Sequence, residues 1–378
     1  MADSPANRRG IALALSGGGF RATLFHLGAL IRLNQLGWLP KLDAISAVSG
    51  GSITGAYLGY KWRRLEFKDG RAANLGREIV DPLRELCRRS IDLLPSLTNI
   101  VINLWGGTNR FLRDKLAYYL FNDATLRDLP DPEAGPRIVI TAASLQTGSH
   151  VLLERAALSD PRLGRLDLPD IPLAAAVAAS CAFPPFLSPE VITTEPDLWR
   201  AGEGADLATV RRFKSRLVLT DGGAYDPLAL EPVWSGYRVL LVSDASQMKT
   251  PWVFPSANWV RQLNRTTLLQ TFGNAAVSRQ LLRDILDKCD GERLPRGAYW
   301  AVDDTLAQHM ADHHDSAVQP LLADSDATRA LCRLRTRLSC FSDAEQTALI
   351  NWGYALSDAA ARSKLNLPDD PPAQLPFA

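Results

Sequence analysis

Apolar residues gather in short unbroken runs along the chain, at Ile11–Leu15, Ala44–Val48, Arg137–Thr141, Leu217–Thr220 and Val239–Val242. Each run is bounded by polar, Gly or Pro positions. A run with no polar alternation suits a strand covered on both faces, so the pattern predicts buried parallel strands. Between them the apolar positions recur at helical spacing. Ala22–Gln35 sets Leu24, Phe25, Leu27 and Ile31 in that rhythm, with Gly37 as a stop. Thr54–Trp62 and Arg110–Leu120 also read as helices. Strand and helix in alternation predict a layered α/β fold. The later chain turns helical, at Val260–Asp287, Asp326–Leu338 and Ser342–Ser357, and its Pro-rich end, Leu367–Pro376, reads as a loose tail. The expectation is one α/β unit with its core over residues 8–250, a helical extension over 255–365 and a tail over 366–378.

Composition narrows the class. Of 378 residues, 46% are hydrophobic and 22% charged, an ordinary globular balance far from the disordered corner. The formal charge is +1, from 42 basic and 41 acidic side chains, which disfavours a whole-chain grip on nucleic acid. Cys87, Cys181, Cys289, Cys332 and Cys340 are odd in number and form no CxxC, so reduced thiols are expected rather than a disulfide scaffold or a Cys-rich zinc site. The start, MADSPANRRG, is polar, and Ile11–Leu15 is too short for the apolar core of a signal peptide. No stretch approaches the roughly 20 apolar residues of a membrane span. A cytoplasmic protein is expected, peripheral at a membrane surface. Ile91–Trp105 is apolar and lies beside Lys61, Arg63, Arg64, Lys68, Arg71, Arg88 and Arg89. That arrangement suits contact with anionic lipid, and equally a buried helix flanked by solvated charge.

Three segments carry candidate chemistry. In Leu15-Ser16-Gly17-Gly18-Gly19-Phe20-Arg21-Ala22 a strand feeds a glycine run that opens a helix. Without Cβ atoms the turn can approach a ligand closely, and the helix start offers free N–H groups to a phosphate or an oxyanion. Gly17-x-Gly19-x-x-Ala22 also satisfies a dinucleotide fingerprint, and a plain tight turn remains open too. In Ala47-Val48-Ser49-Gly50-Gly51 a buried strand ends at a serine followed by two glycines, the layout of a nucleophile elbow with Ala in place of its first Gly. In Leu217-Val218-Leu219-Thr220-Asp221-Gly222-Gly223 a carboxylate ends a strand; alone, it reads as an Asp bonded to its own turn. Together the three supply the donor, hydroxyl and base of an acyl-transfer site.

With these motifs the chain resembles the patatin-like phospholipases. The glycine run with Phe20-Arg21 resembles the family's oxyanion loop, Ser49 falls on the elbow nucleophile, and Asp221 on the Asp-Gly-Gly motif. Ala179-Ser180-Cys181-Ala182-Phe183-Pro184-Pro185-Phe186 resembles the helix and Pro turn that precede that Asp. Ala22 and Ala47 stand where the family usually has glycine. The resemblance implies a three-layer α/β/α fold with a mainly parallel sheet and C-terminal helical additions. It implies a Ser49–Asp221 dyad that hydrolyses acyl esters of phospholipids or related lipids. Backbone N–H groups of the Gly17, Gly18, Gly19 and Gly50 region would hold the oxyanion, with no metal or organic cofactor. Arg21 either holds a substrate phosphate or carboxylate, or braces the loop through a buried acidic partner. A Ser–Asp–His triad would draw on His309, His313 or His314, which read as solvated surface residues. A lipid-binding or regulatory module on the same fold is the alternative without catalysis.

Overall fold

The computed structural model describes residues 10–92, 109–184, 187–246, 258–287, 295–310, 321–365 and 374–377. Its strands are β1 (Ile11–Leu15), β2 (Ala44–Val48), β3 (Phe67–Lys68), β4 (Arg71–Ala72), β5 (Arg137–Ser144), β6 (His150–Leu153), β7 (Ala157–Asp160), β8 (Gly164–Asp167), β9 (Glu190–Thr193), β10 (Trp199–Arg200), β11 (Arg216–Asp221), β12 (Val239–Asp244) and β13 (Arg296–Ala301). Its helices are α1 (Gly19–Gln35), α2 (Gly50–Lys61), α3 (Asp81–Cys87), α4 (Asn109–Leu116), α5 (Leu173–Ser180), α6 (Arg211–Ser215), α7 (Trp259–Asp287), α8 (Leu306–Met310), α9 (Asp326–Leu331) and α10 (Asp343–Leu365). β3 and β4 form a separate hairpin, and the other strands share one sheet.

The centre of that sheet, β5-β2-β1-β12-β13, is parallel, and β6, β7, β8 and β10 continue it antiparallel beyond β5. Alternate residues of the buried strands serve opposite layers. Leu13, Leu15, Ile45 and Ala47 pack with Leu24 and Leu27 of α1, Ile53 of α2 and Ile350 of α10. Ala12, Ala14, Ala44, Leu240 and Val242 pack on the other face, against Leu228, Val233 and Leu282 of α7. Two layers of helix and loop thus enclose the sheet, a three-layer α/β/α fold.

One expected parallel strand runs the other way. β11 is antiparallel to both β5 and β9. An apolar run reports burial on both faces and says nothing of direction. The consequence is specific. β2 pairs with β5 up to Val48↔Thr141, and β11 pairs with β5 from Asp221↔Ala142 onward. β6 takes the opposite side of β5 at Ile140–Ala143, so β2 and β11 share one side. They run toward each other along it and end head to head.

The late chain joins the same body. β13 adds a strand beside β12. α10 crosses α1 where Gly28 and Gly353 remove side chains: a Cβ at Gly28 would lie 2.0 Å from the Ile350 carbonyl oxygen, and one at Gly353 would lie 2.1 Å from that of Phe25. The buried pair Arg32–Asp358, at 2.7 Å, ties the two helices. The helix expected over Asp326–Leu338 stops at Leu331, because carbonyls beyond it accept hydrogen bonds from α1 instead. In the expected loose tail, Phe377 is held: its N–H donates to Asn351 and its carbonyl accepts from the same amide side chain.

Candidate active site

Ser49 is the residue between β2 and α2, and it adopts φ 52 and ψ −124. A side chain held at positive φ is strained by about 1–3 kcal/mol, and the surrounding packing must impose it. Here the packing is glycine-dependent. A Cβ at Gly51 would lie 2.4 Å from the Leu15 carbonyl oxygen, and one at Gly50 would lie 2.1 Å from that of Gly19. The elbow therefore sits directly on the glycine run. Ala47, where a glycine was expected for this elbow, is accommodated by Gly55 across from it: a Cβ at Gly55 would lie 3.0 Å from the Ala47 methyl.

The glycine run joins β1 to α1. Gly18 has φ 137 and Gly19 φ 58, conformations that side chains rarely adopt. Gly19 also faces the late chain so closely that a Cβ would lie 2.1 Å from the Thr336 carbonyl oxygen. The N–H groups of Gly18 and Gly19 have no partner among the described residues, nor has that of Gly50. Gly17 differs from the expectation. Its N–H donates to the Pro227 carbonyl at 3.1 Å, so it gives room rather than a hydrogen bond: its own Cβ would come within 3.2 Å of Ser49 Cβ.

Asp221 ends β11 opposite the elbow and is buried. Its Oδ1 accepts the Gly223 N–H at 2.8 Å, the turn bond expected of Asp-Gly. Burial pushes the carboxyl up to about 6, held back by the Gly223 N–H and by the neighbouring Ser49 hydroxyl. Ser49, Asp221, Gly17, Gly18 and Gly19 all line one cavity of about 400 Å³. Its other walls are largely apolar, with Phe183, Pro184, Leu187, Leu268, Ala275 and Leu338.

Arg21 is fully buried and is not among the cavity's lining residues. Its guanidinium donates to the carbonyls of Cys332 (2.6 Å), Leu334 (2.9 Å) and Ala245 (2.8 Å). These bonds go to main-chain carbonyls, where the bracing reading expected an acidic partner. Burial lowers its pKa to about 10.

None of the described histidines lines the cavity. His26 is buried between the Ser243 hydroxyl (2.8 Å) and the Ser16 carbonyl (2.9 Å), and burial lowers its pKa to about 4. His309, expected to be solvated, is largely buried and pairs with Asp304 at 3.1 Å, away from the cavity lining. His313 and His314 fall outside the described residues, as does most of Ile91–Trp105. Arg88 and Arg89, which flank that segment, are engaged with Glu85, and Arg88 also with Asp343. Among the described residues no three His, Cys, Asp or Glu side chains gather as metal ligands, and no helix is long and apolar enough to cross a membrane.

Several residues at the cavity had no role assigned from the sequence, although residues 180–182 lie in the segment that resembles the family's turn before the Asp. The Ser49 N–H donates to Ser180 Oγ at 2.8 Å, and the Asp221 N–H to the Ala182 carbonyl at 3.0 Å. Cys181 lies between these two and lines the cavity; burial beside Asp221 pushes its thiol well up. Thr336, Arg337 and Leu338 close another side, and α7 contributes Leu268, Thr271 and Ala275.

Comparison with known proteins gives one family. The profile described as patatin-like phospholipase matches residues 13–234, more than half of the chain. No curated protein matches. Among solved structures, human GIVD cytosolic phospholipase A2 aligns with a TM-score of 0.50 at 13% identity, covering 96% of this chain and 59% of that one. VipD from Legionella pneumophila aligns with a TM-score of 0.38 at 13% identity, covering 95% and 67%. The type III effector ExoU of Pseudomonas aeruginosa gives 0.34 at 12%, covering 96% and 54%. The chain thus spans about 59% of the length of the human enzyme, and the likeness is one of fold.

Proposed function

Because this chain belongs to the patatin-like phospholipase family, we propose that it hydrolyses acyl esters of phospholipids or related lipids through a Ser49–Asp221 dyad. The observation that carries this reading is the head-on meeting of β2 and β11, which brings a strained serine and a buried carboxylate to one largely apolar cavity beside N–H groups that have no partner among the described residues.

Asp221 takes the Ser49 proton as Oγ attacks the ester carbonyl. The N–H groups of Gly18, Gly19 and Gly50 receive the oxyanion. Asp221 returns the proton to the leaving alcohol, leaving an acyl-Ser49. Water, losing a proton to Asp221, then attacks the acyl group; the fatty acid departs and Ser49 regains its proton. A carboxylate near its usual range is a poor base for a hydroxyl. Raised to about 6, Asp221 is a stronger one and is still ionised at neutral pH. The apolar walls suit the acyl chain, in the manner of a phospholipase A or lysophospholipase. Ser49→Ala and Asp221→Asn, assayed on phospholipid, lysophospholipid and triacylglycerol, test this reading; near-normal turnover by either variant overturns it.

Peripheral contact with anionic lipid, on a cytoplasmic protein, belongs to the same proposal. The outer side of α7 supports it, with Trp259, Leu263, Val277 and Leu281 exposed on a helix whose inner side lines the cavity. Flotation with anionic vesicles at low salt is expected, and its absence removes the membrane contact.

A further inference from the structure

The pairing with β5 fixes where β2 and β11 end. It does not hold the Ser49 amide, which has already left its strand and whose N–H no intrahelical carbonyl can reach. That N–H is taken by Ser180 Oγ at 2.8 Å. Ser180 is the last residue of α5, and it is completely buried, as is most of that Ala-rich helix. Two residues on, the Ala182 carbonyl accepts the Asp221 N–H at 3.0 Å and the Thr220 hydroxyl at 2.9 Å. One short stretch therefore touches both strand ends.

We propose that residues 180–182 form a strap that sets the separation of Ser49 and Asp221, with Ser180 as a positioning residue for the nucleophile. The inference rests on the dyad reading and adds to it the part that holds the dyad in register. Three features single the strap out from ordinary core contact. Its two anchor points grip the two reacting residues themselves. It reaches Ser49 at the strained peptide, where an unpaired N–H would let the elbow relax. Its middle residue, Cys181, faces the cavity, so a shift of the strap is a shift of the cavity wall.

Without Ser180 Oγ, a buried N–H loses its acceptor and the Ser49 hydroxyl is no longer aimed at Asp221. For Ser180→Ala, kcat on a soluble short-chain p-nitrophenyl ester is expected to fall about 10- to 100-fold, the size of one lost buried hydrogen bond, with KM within about twofold. The Ser49 hydroxyl holds the Asp221 pKa down, so its misalignment moves the acidic limb of kcat/KM to higher pH. A purely structural role would not move that limb. Ser180→Thr keeps the acceptor and is expected to restore most of the turnover. Thr220→Val loosens the second anchor, and with it the hydrogen bond that Thr220 accepts from the Ser188 hydroxyl; a smaller fall in kcat with the same direction of pH shift is expected. It decides the matter should Ser180→Ala not fold, as judged by its thermal transition. Unchanged kcat and an unmoved acidic limb in Ser180→Ala, or in Thr220→Val where that variant must decide, overturn the strap. Ser49→Ala is run beside them: full activity there overturns the dyad and the strap together, whereas Ser49-dependent turnover with an indifferent Ser180→Ala overturns the strap alone.

Discussion

The two walls of the cavity are built on different terms. Within residues 10–246 the wall around Ser49 is main chain under tight constraint: a serine at φ 52, glycines at φ 137 and φ 58, and approaches near 2 Å that no Cβ could occupy, with the side chains of Phe183, Pro184 and Leu187 beyond it. The facing wall comes from α7 and residues 336–338, beyond the segment that the family profile covers, and it presents mainly side chains such as Leu268 and Leu338. The first is suited to chemistry, which tolerates little displacement. The second is suited to choosing what enters, since side chains can be exchanged without disturbing a turn. They meet at Gly19, pressed against the Thr336 carbonyl, and through Arg21, which binds the Cys332 and Leu334 carbonyls.

If the walls divide their labour in this way, substitutions should separate by class. The largest effects belong to the constrained wall. Ser49→Ala and Asp221→Asn are expected to lower turnover on acyl esters by at least about 1,000-fold while the thermal transition stays intact. Gly19→Ala comes next. Its methyl would meet the Thr336 carbonyl at an unfavourable φ, so kcat should fall about 100-fold, comparable to losing one oxyanion donor, and the melting temperature should drop as well. Its thermal curve, read beside its kinetics, shows whether the two walls are coupled there. In the facing wall, Leu268→Trp fills part of the cavity. KM for long-chain esters is expected to rise about 10-fold with short-chain kcat unchanged. An equal loss for both chain lengths would contradict the division. The smallest effect is His309→Gln, which loses a partner of Asp304 outside the cavity lining and should leave kcat within about twofold.

How much of this was legible follows from what a sequence can display. Ile11–Leu15 and Ala44–Val48 announce buried strands because both faces need apolar atoms, and Ser49-Gly50-Gly51 announces a crowded turn because glycine is the residue that fits. Leu217–Thr220 announces its burial as clearly but not its direction, and that direction is what brings Asp221 to Ser49. Most other features were out of reach because they act through main-chain atoms that every residue type possesses. Arg21 was open to two readings because its partners are carbonyls. The helix expected to run to Leu338 ends at Leu331 because Phe20 and Arg21 take carbonyls beyond it. Gly17 read as a donor, whereas a distant carbonyl, Pro227, already holds its N–H. Ala47 read as a departure from the elbow, and the space it needs is supplied by Gly55 eight positions later in a different element.

The pairing of Ser49 with Asp221 is tested most directly by reaction with a fluorophosphonate probe, followed over pH and located by mass spectrometry. Asp221 must be ionised to take the proton, so the labelling rate is expected to rise with pH through about 6 and level off above it, with the adduct on Ser49 and no labelling in Asp221→Asn. Labelling of Ser49 that proceeds equally fast in Asp221→Asn, or an adduct on another residue, would contradict the account.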